Sequence, residues 1–85
     1  MFDGWFIIAN PFSNSGKTAE IIDLVVKKLQ SNLISHQIRL TERSGDELGF
    51  VNEATQAGYN KILAIGGDGT VQKVVAGITL SLIHI

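Results

Sequence analysis

The chain has 85 residues, 45% of them hydrophobic and 18% charged, with a formal net charge of −1. That length allows one small domain at most and makes a parallel α/β sheet marginal, while the apolar content excludes a disordered chain. No basic block marks a nucleic-acid surface, and the lack of cysteine removes disulfides, thiolate zinc sites and a thiol nucleophile.

Met1-Phe2-Asp3-Gly4 has no basic n-region, and the apolar run behind it is too short for a signal peptide or a membrane span. A cytoplasmic protein is therefore expected. Trp5-Phe6-Ile7-Ile8-Ala9 reads as the first strand, closed by Asn10-Pro11 because proline removes a backbone donor. The polar loop Phe12-Ser13-Asn14-Ser15-Gly16 opens a helix predicted from about Lys17 to Leu33. Its apolar face is Ile22, Val25, Val26, Leu29 and Leu33. Ser15-Gly16-Lys17-Thr18 invites comparison with a P-loop, but the glycine that pattern needs five residues before Gly16 is Pro11, so the pattern fails. A solvated first-turn position suits Lys17 equally well. His36 falls in the loop before the second strand, as a solvent-facing turn residue.

Gln37-Ile38-Arg39-Leu40-Thr41 alternates and has two exposed positions, which predicts a strand at or near a sheet edge. Ser44-Gly45-Asp46-Glu47 has capping-box spacing and starts a second helix that carries Leu48, Val51 and Ala54 and ends at Gly58. Ile62-Leu63-Ala64-Ile65 then reads as a buried strand leading into Gly66-Gly67-Asp68-Gly69-Thr70. Val71, Val74, Val75 and Ile78 follow at helical spacing, predicting a third helix with that stripe inward. Strand, glycine turn and helix aim backbone N–H groups at a phosphate, and glycines admit its oxygens without meeting a Cβ. Asp68 sharpens this reading. A carboxylate near a phosphate is repelled unless a cation or a hydroxyl stands between them, which points to Mg2+ or to an acceptor hydroxyl. The competing reading is an acid placed at a helix N-terminus, favoured by the helix dipole alone. The start of G-x-G-x-x-G is present at Gly67-Asp68-Gly69, but its closing position is Gln72, so a dinucleotide fingerprint fails.

Alternating strands and helices imply a parallel sheet with right-handed crossovers, and ligands of such sheets bind at the carboxyl ends of the strands. Asn10, Thr41 and Gly66 to Thr70 all fall there. The fold class expected is a three-layer α/β/α, Rossmann-like parallel sheet that stops after its third βα unit.

Gly66-Gly67-Asp68-Gly69-Thr70, together with Asn10-Pro11-Phe12-Ser13-Asn14 and Thr41-Glu42-Arg43, resembles the catalytic domain of the diacylglycerol kinase and sphingosine kinase family. These lipid kinases are distant relatives of the NAD kinases and 6-phosphofructokinases. The likeness runs from about Trp5 to Ile78. It implies γ-phosphoryl transfer from ATP, with Mg2+, to a lipid hydroxyl of diacylglycerol or sphingoid type at a membrane surface. By the same resemblance, Asn10, Pro11, Phe12, Ser13 and Asn14 are the first nucleotide-contacting segment and Thr41 supplies a hydroxyl to the nucleotide. Gly66, Gly67, Asp68, Gly69 and Thr70 hold the phosphates, and Asp68 is the catalytic and metal-organising acid. Arg43 is a surface arginine within reach of phosphate.

Three departures stand out. Asn14 occupies a position where the family often has glycine, and asparagine tolerates the left-handed region best of the alternatives. Gln72-Lys73 replaces a frequent Asn-Glu pair, so a positive charge stands where the family has a negative one. Ala76-Gly77 replaces Asn-Gly. Lys73 is accordingly a candidate phosphate ligand, and the change also fits a nucleotide-binding pseudokinase or regulatory module. An NAD kinase-like enzyme with a soluble acceptor shares GGDG and is the other alternative. Residues 1–79 are expected to be the N-terminal part of the nucleotide-binding domain. Leu80-Ser81-Leu82-Ile83-His84-Ile85 breaks the helical pattern and matches an in-frame translation of a transposon sequencing adapter, CTG-TCT-CTT-ATA-CAC-ATC. These last residues are expected to be a non-native tail on a truncated reading frame. The sequence does not settle oligomeric state.

Overall fold

The computed structural model describes residues 4–43 and 45–83, without the side chains of Asn14, Ser15, Asp68 and residues 79–83. Strand β1 is Trp5–Ala9, followed by a 3-10 turn at Ser13–Gly16 and helix α1 at Lys17–Ser31. Strand β2 is His36–Leu40, α2 is Asp46–Gln56, β3 is Ile62–Ile65 and α3 is Asp68–Ile83. The strands form one parallel sheet in the order β2-β1-β3, with Ile7 of β1 opposite both Ile38 and Leu63.

Side chains along β1 alternate between two cores, as the twofold period of a strand requires. Phe6 and Ile8 pack with Val51 and Ala54 of α2 and Val74 of α3, while Ile7 and Ala9 pack with Ile22 of α1. Helix α1 therefore covers one face and α2 and α3 the other, which is the three-layer α/β/α arrangement expected. The faces differ because the chain steps from β1 to β2 on one side and returns across β1 to β3. Right-handed crossovers in opposite directions place their helices on opposite faces.

Phe6 is clamped from two sides: the Tyr59 ring stands edge-on at 5.2 Å and the Arg39 guanidinium lies 5.7 Å from its centroid. Arg39 also donates through Nε and Nη2 to the Glu53 carboxylate of α2, its shortest contact 2.7 Å. That hydrogen bond raises the arginine's pKa further above its ordinary value. Helix α2 ends on the Schellman pattern, with Gly58 at φ 89°, its N–H bonded to Thr55 and the Tyr59 N–H bonded to Ala54. This is the glycine stop expected from sequence.

Several expectations are corrected. Helix α1 stops at Ser31, and Leu33 is not on its apolar face. It sits at φ 55° and is 93% exposed, because the same Schellman pattern, Leu33 N–H to Gln30 and Ile34 N–H to Leu29, ends this helix too. Strand β3 is half-buried along its length, since it is an edge of the sheet. In α3, Val74 is buried and Ile78 packs on the core, but Val71 and Val75 are exposed. The helix is turned so that Thr70, Val74 and Gly77 face inward. Gly77 sets that turn, because a Cβ there would stand 3.1 Å from Val51 and 3.3 Å from Leu48 of α2. The α3 backbone also stays helical through Ile83, past the point where the sequence pattern stops. His84 and Ile85 lie outside the described residues.

Candidate nucleotide cleft at the carboxyl ends of the strands

The sheet itself brings three loops together. The Asn10 N–H bonds to the Ile65 carbonyl at 2.9 Å, and the Thr41 N–H bonds to the Ala9 carbonyl at 2.8 Å. The segments leaving β1, β2 and β3 therefore start side by side. After β1, the Asn10 side chain accepts from the Phe12 N–H at 3.0 Å, and the Asn10 carbonyl accepts from the Ser13 hydroxyl at 3.1 Å. Ser13 spends its proton on Asn10, so the buried Thr18 hydroxyl donates to Ser13 Oγ across 2.6 Å. The Asn-Pro loop thus folds back on itself through these hydrogen bonds, and Phe12 is left 74% exposed.

After β2, Thr41 is buried, and the next two backbone N–H groups, of Glu42 and Arg43, both donate to Asp46 Oδ2 at 2.9 Å. These bonds hold the Asp46 carboxyl below its ordinary pKa, because they favour the charged form. Helix α2 begins on Gly45 at φ 93° with no side-chain cap. Asp46, the first residue of the helix, reaches back to the loop; the predicted capping box turns on Ser44, which lies outside the described residues.

After β3, the Gly67 carbonyl accepts from the N–H groups of Thr70 and Val71 at 3.1 and 3.2 Å, so α3 begins at Asp68 directly from the strand. None of Gly66, Gly67 and Gly69 adopts the left-handed conformation; that belongs to Gly16, Gly45 and Gly58. Glycine is demanded at Gly66 for contact, since a Cβ would come within 2.8 Å of Thr70 Oγ1. At Gly67 a Cβ would lie 3.9 Å from that of Ser13, so this turn and the Asn-Pro loop are neighbours.

Between these loops lies a cleft of about 310 Å³, lined by Asn10, Phe12, Thr41, Glu42, Arg43, Glu47 and Lys73. Four residues singled out from sequence, Asn10, Phe12, Thr41 and Lys73, meet in it. Pro11, Ser13, Gly66, Gly67, Gly69 and Thr70 stand at the same sheet edge without lining it; the side chains of Asn14 and Asp68 lie outside the described residues. Glu42 and Glu47 were not singled out as site residues, and Arg43, read as a surface residue, lines the cleft. Glu47 is 4% exposed and its Oε1 is buried without a hydrogen-bond partner. Its capping-box spacing gave it a structural explanation that concealed this position.

The Asp46 bonds yield a pH prediction. Its carboxyl is depressed in the fold, so its stabilisation of the Glu42–Arg43 loop is complete above the ordinary aspartate pKa of about 3.9. It is lost as pH falls through the lower folded-state value. Acid titration followed by thermal melting should show the wild type losing its advantage over Asp46→Ala in that range. Curves that stay parallel down to roughly pH 2 would show that Asp46 holds nothing in place.

The chain is an α/β protein with an open parallel sheet, and the loops at the carboxyl ends of its strands converge on a cleft lined by two cations, two acids and an apolar ring. The model of the diacylglycerol kinase catalytic domain matches residues 4–84, and the chain belongs to that family. It is 36% identical over 77 residues to a probable YegS-like lipid kinase of Cronobacter sakazakii, covering 88% of this chain and 24% of that protein. It is 35% identical over 66 residues to one of Serratia proteamaculans, covering 78% and 22%. A putative lipid kinase of Streptococcus pneumoniae is 31% identical over 72 residues, covering 85% and 24%. The chain thus spans about a quarter of the length of these relatives. No helix among the described residues is long and apolar enough to cross a membrane, and they hold no cluster of three or more potential metal ligands.

Proposed function

We propose that this chain is the nucleotide-binding part of an ATP-dependent lipid kinase that transfers the γ-phosphoryl group to a lipid hydroxyl. The observation that carries the reading is the cleft, where Asn10, Thr41 and Lys73 meet from three separate segments. Such a reaction asks the protein for positioning and charge neutralisation rather than covalent chemistry. Arg43 and Lys73 supply positive charge, Thr41 and the Asn10 amide supply hydrogen bonds, and exposed Phe12 offers a flat apolar surface to a base. The N–H groups opening α3 face the strand end where a phosphate gains from the helix dipole. Mg2+ keeps most of its water and binds through one or two carboxylates together with nucleotide phosphates. Asp68, at the start of α3, is the residue that would hold the ion.

Lys73 favours a second reading. In place of the acid that the family resemblance leads one to expect, a lysine lines the cleft. A nucleotide-binding module without turnover would tolerate that exchange. Both readings are tested on the intact gene product with MgATP and labelled γ-phosphate. Label in diacylglycerol or a sphingoid base presented in mixed micelles supports the lipid kinase, and label in NAD selects the soluble-acceptor alternative. ATP affinity with no transfer to any acceptor selects the regulatory module.

A further inference from the structure

Glu47 is the feature that neither the family likeness nor the phosphate chemistry absorbs. It lies in the first turn of α2, is 4% exposed, and keeps Oε1 buried with no partner. A buried acceptor left unsatisfied carries its full desolvation cost, so natural folds retain few of them and those few need a reason. Its position in the cleft wall supplies one. Gly77 of α3 packs against Val51 of α2, and one helical turn earlier on each helix stand Lys73 and Glu47, so close helix packing sets both at the cleft.

The cleft is mixed in charge. Arg43 and Lys73 suit an anion, whereas Glu47 repels one and can only accept a hydrogen bond while ionised. A ligand that meets both Arg43 and Glu47 is anionic at one end and carries N–H or O–H donors at the other. A nucleoside triphosphate has that polarity. We propose that Glu47 accepts a hydrogen bond from a donor on the nucleoside half of the bound nucleotide, either a ribose hydroxyl or the exocyclic amine of the base. This makes Glu47 a specificity-determining residue, and it rests on the nucleotide reading above.

The test uses calorimetric titration of the intact gene product with ATP, 2′,3′-dideoxy-ATP, purine riboside triphosphate and tripolyphosphate, in wild type, Glu47→Gln and Glu47→Ala. Loss of a hydrogen bond to a charged group should weaken ATP binding about ten- to a hundredfold in Glu47→Ala. Glu47→Gln, which keeps an acceptor but not the charge, should lose less. Tripolyphosphate affinity should not fall, and thermal stability should hold or rise because a desolvated carboxylate is gone. The analogue whose affinity is already reduced in wild type, and no longer responds to Glu47→Ala, identifies the donor. Unchanged ATP affinity in Glu47→Ala would overturn the inference alone. Tighter ATP binding would do so too, since Glu47 would then merely offset Lys73. No ATP binding by the wild type would remove the nucleotide reading and this inference with it.

Discussion

Asp68→Asn in the intact gene product is expected to lower kcat by on the order of 10²–10³, the cost of losing one well-placed electrostatic group from a transfer site. The structure makes Asp68 the first residue of α3, immediately beyond the end of β3 and the Gly66-Gly67 turn. An acid at this point has two physical uses. One is to favour the helix through its dipole, worth about 0.3–1 kcal/mol of stability. The other is to organise Mg2+ or the acceptor hydroxyl beside the phosphates. Asparagine is nearly isosteric and supports a helix start, so the substitution separates the two. A catalytic role leaves Tm and ATP affinity near the wild-type values while kcat falls. If kcat is retained and Tm drops by a few degrees, Asp68 serves only the helix.

How far the sequence carried the fold depends on how local the governing force was. Trp5–Ala9 and Ile62–Ile65 were legible because a short apolar run bounded by polar or turn residues has few other uses. Gly58 was legible as a helix stop because a left-handed cap is a property of one residue. The inward face of α3 was not, since Val71 and Val75 fit the helical period as well as Val74 does. What turned the helix was a tertiary contact, Gly77 against Val51, that no window of sequence contains. The same holds at the cleft. Asn10 and Thr41 could be placed by strand topology, but Glu47 satisfied a local capping pattern and seemed explained. Only the three-dimensional arrangement shows Asp46 bonded to the loop and Glu47 in the cleft wall with an unpaired oxygen.

Gly66→Ala is expected to destabilise the fold, whereas Gly67→Ala and Gly69→Ala should leave it intact and report on phosphate binding. A Cβ on Gly66 would stand 2.8 Å from Thr70 Oγ1, 2.9 Å from Thr70 Cβ and 3.1 Å from Cγ2. Thr70 cannot swing aside. It is β-branched, 4% exposed and fixed in the first turn of α3 by its N–H bond to the Gly67 carbonyl. Either β3 or the start of α3 must move, and overpacking of this kind costs about 1–3 kcal/mol. For so short a chain the total stability is only about 0.05–0.15 kcal/mol per residue, so each kcal/mol lost should lower Tm by roughly 4–8 °C. By contrast, a Cβ on Gly67 meets only Ser13 at 3.9 Å, an ordinary contact, and one on Gly69 meets nothing within 4 Å. Any effect of those two substitutions on ATP must come from the ligand. If phosphates lie along the turn, Gly67→Ala and Gly69→Ala keep Tm and weaken ATP binding. If both bind ATP normally, the turn serves only to join β3 to α3, and the phosphates belong with Arg43 and Lys73 in the cleft.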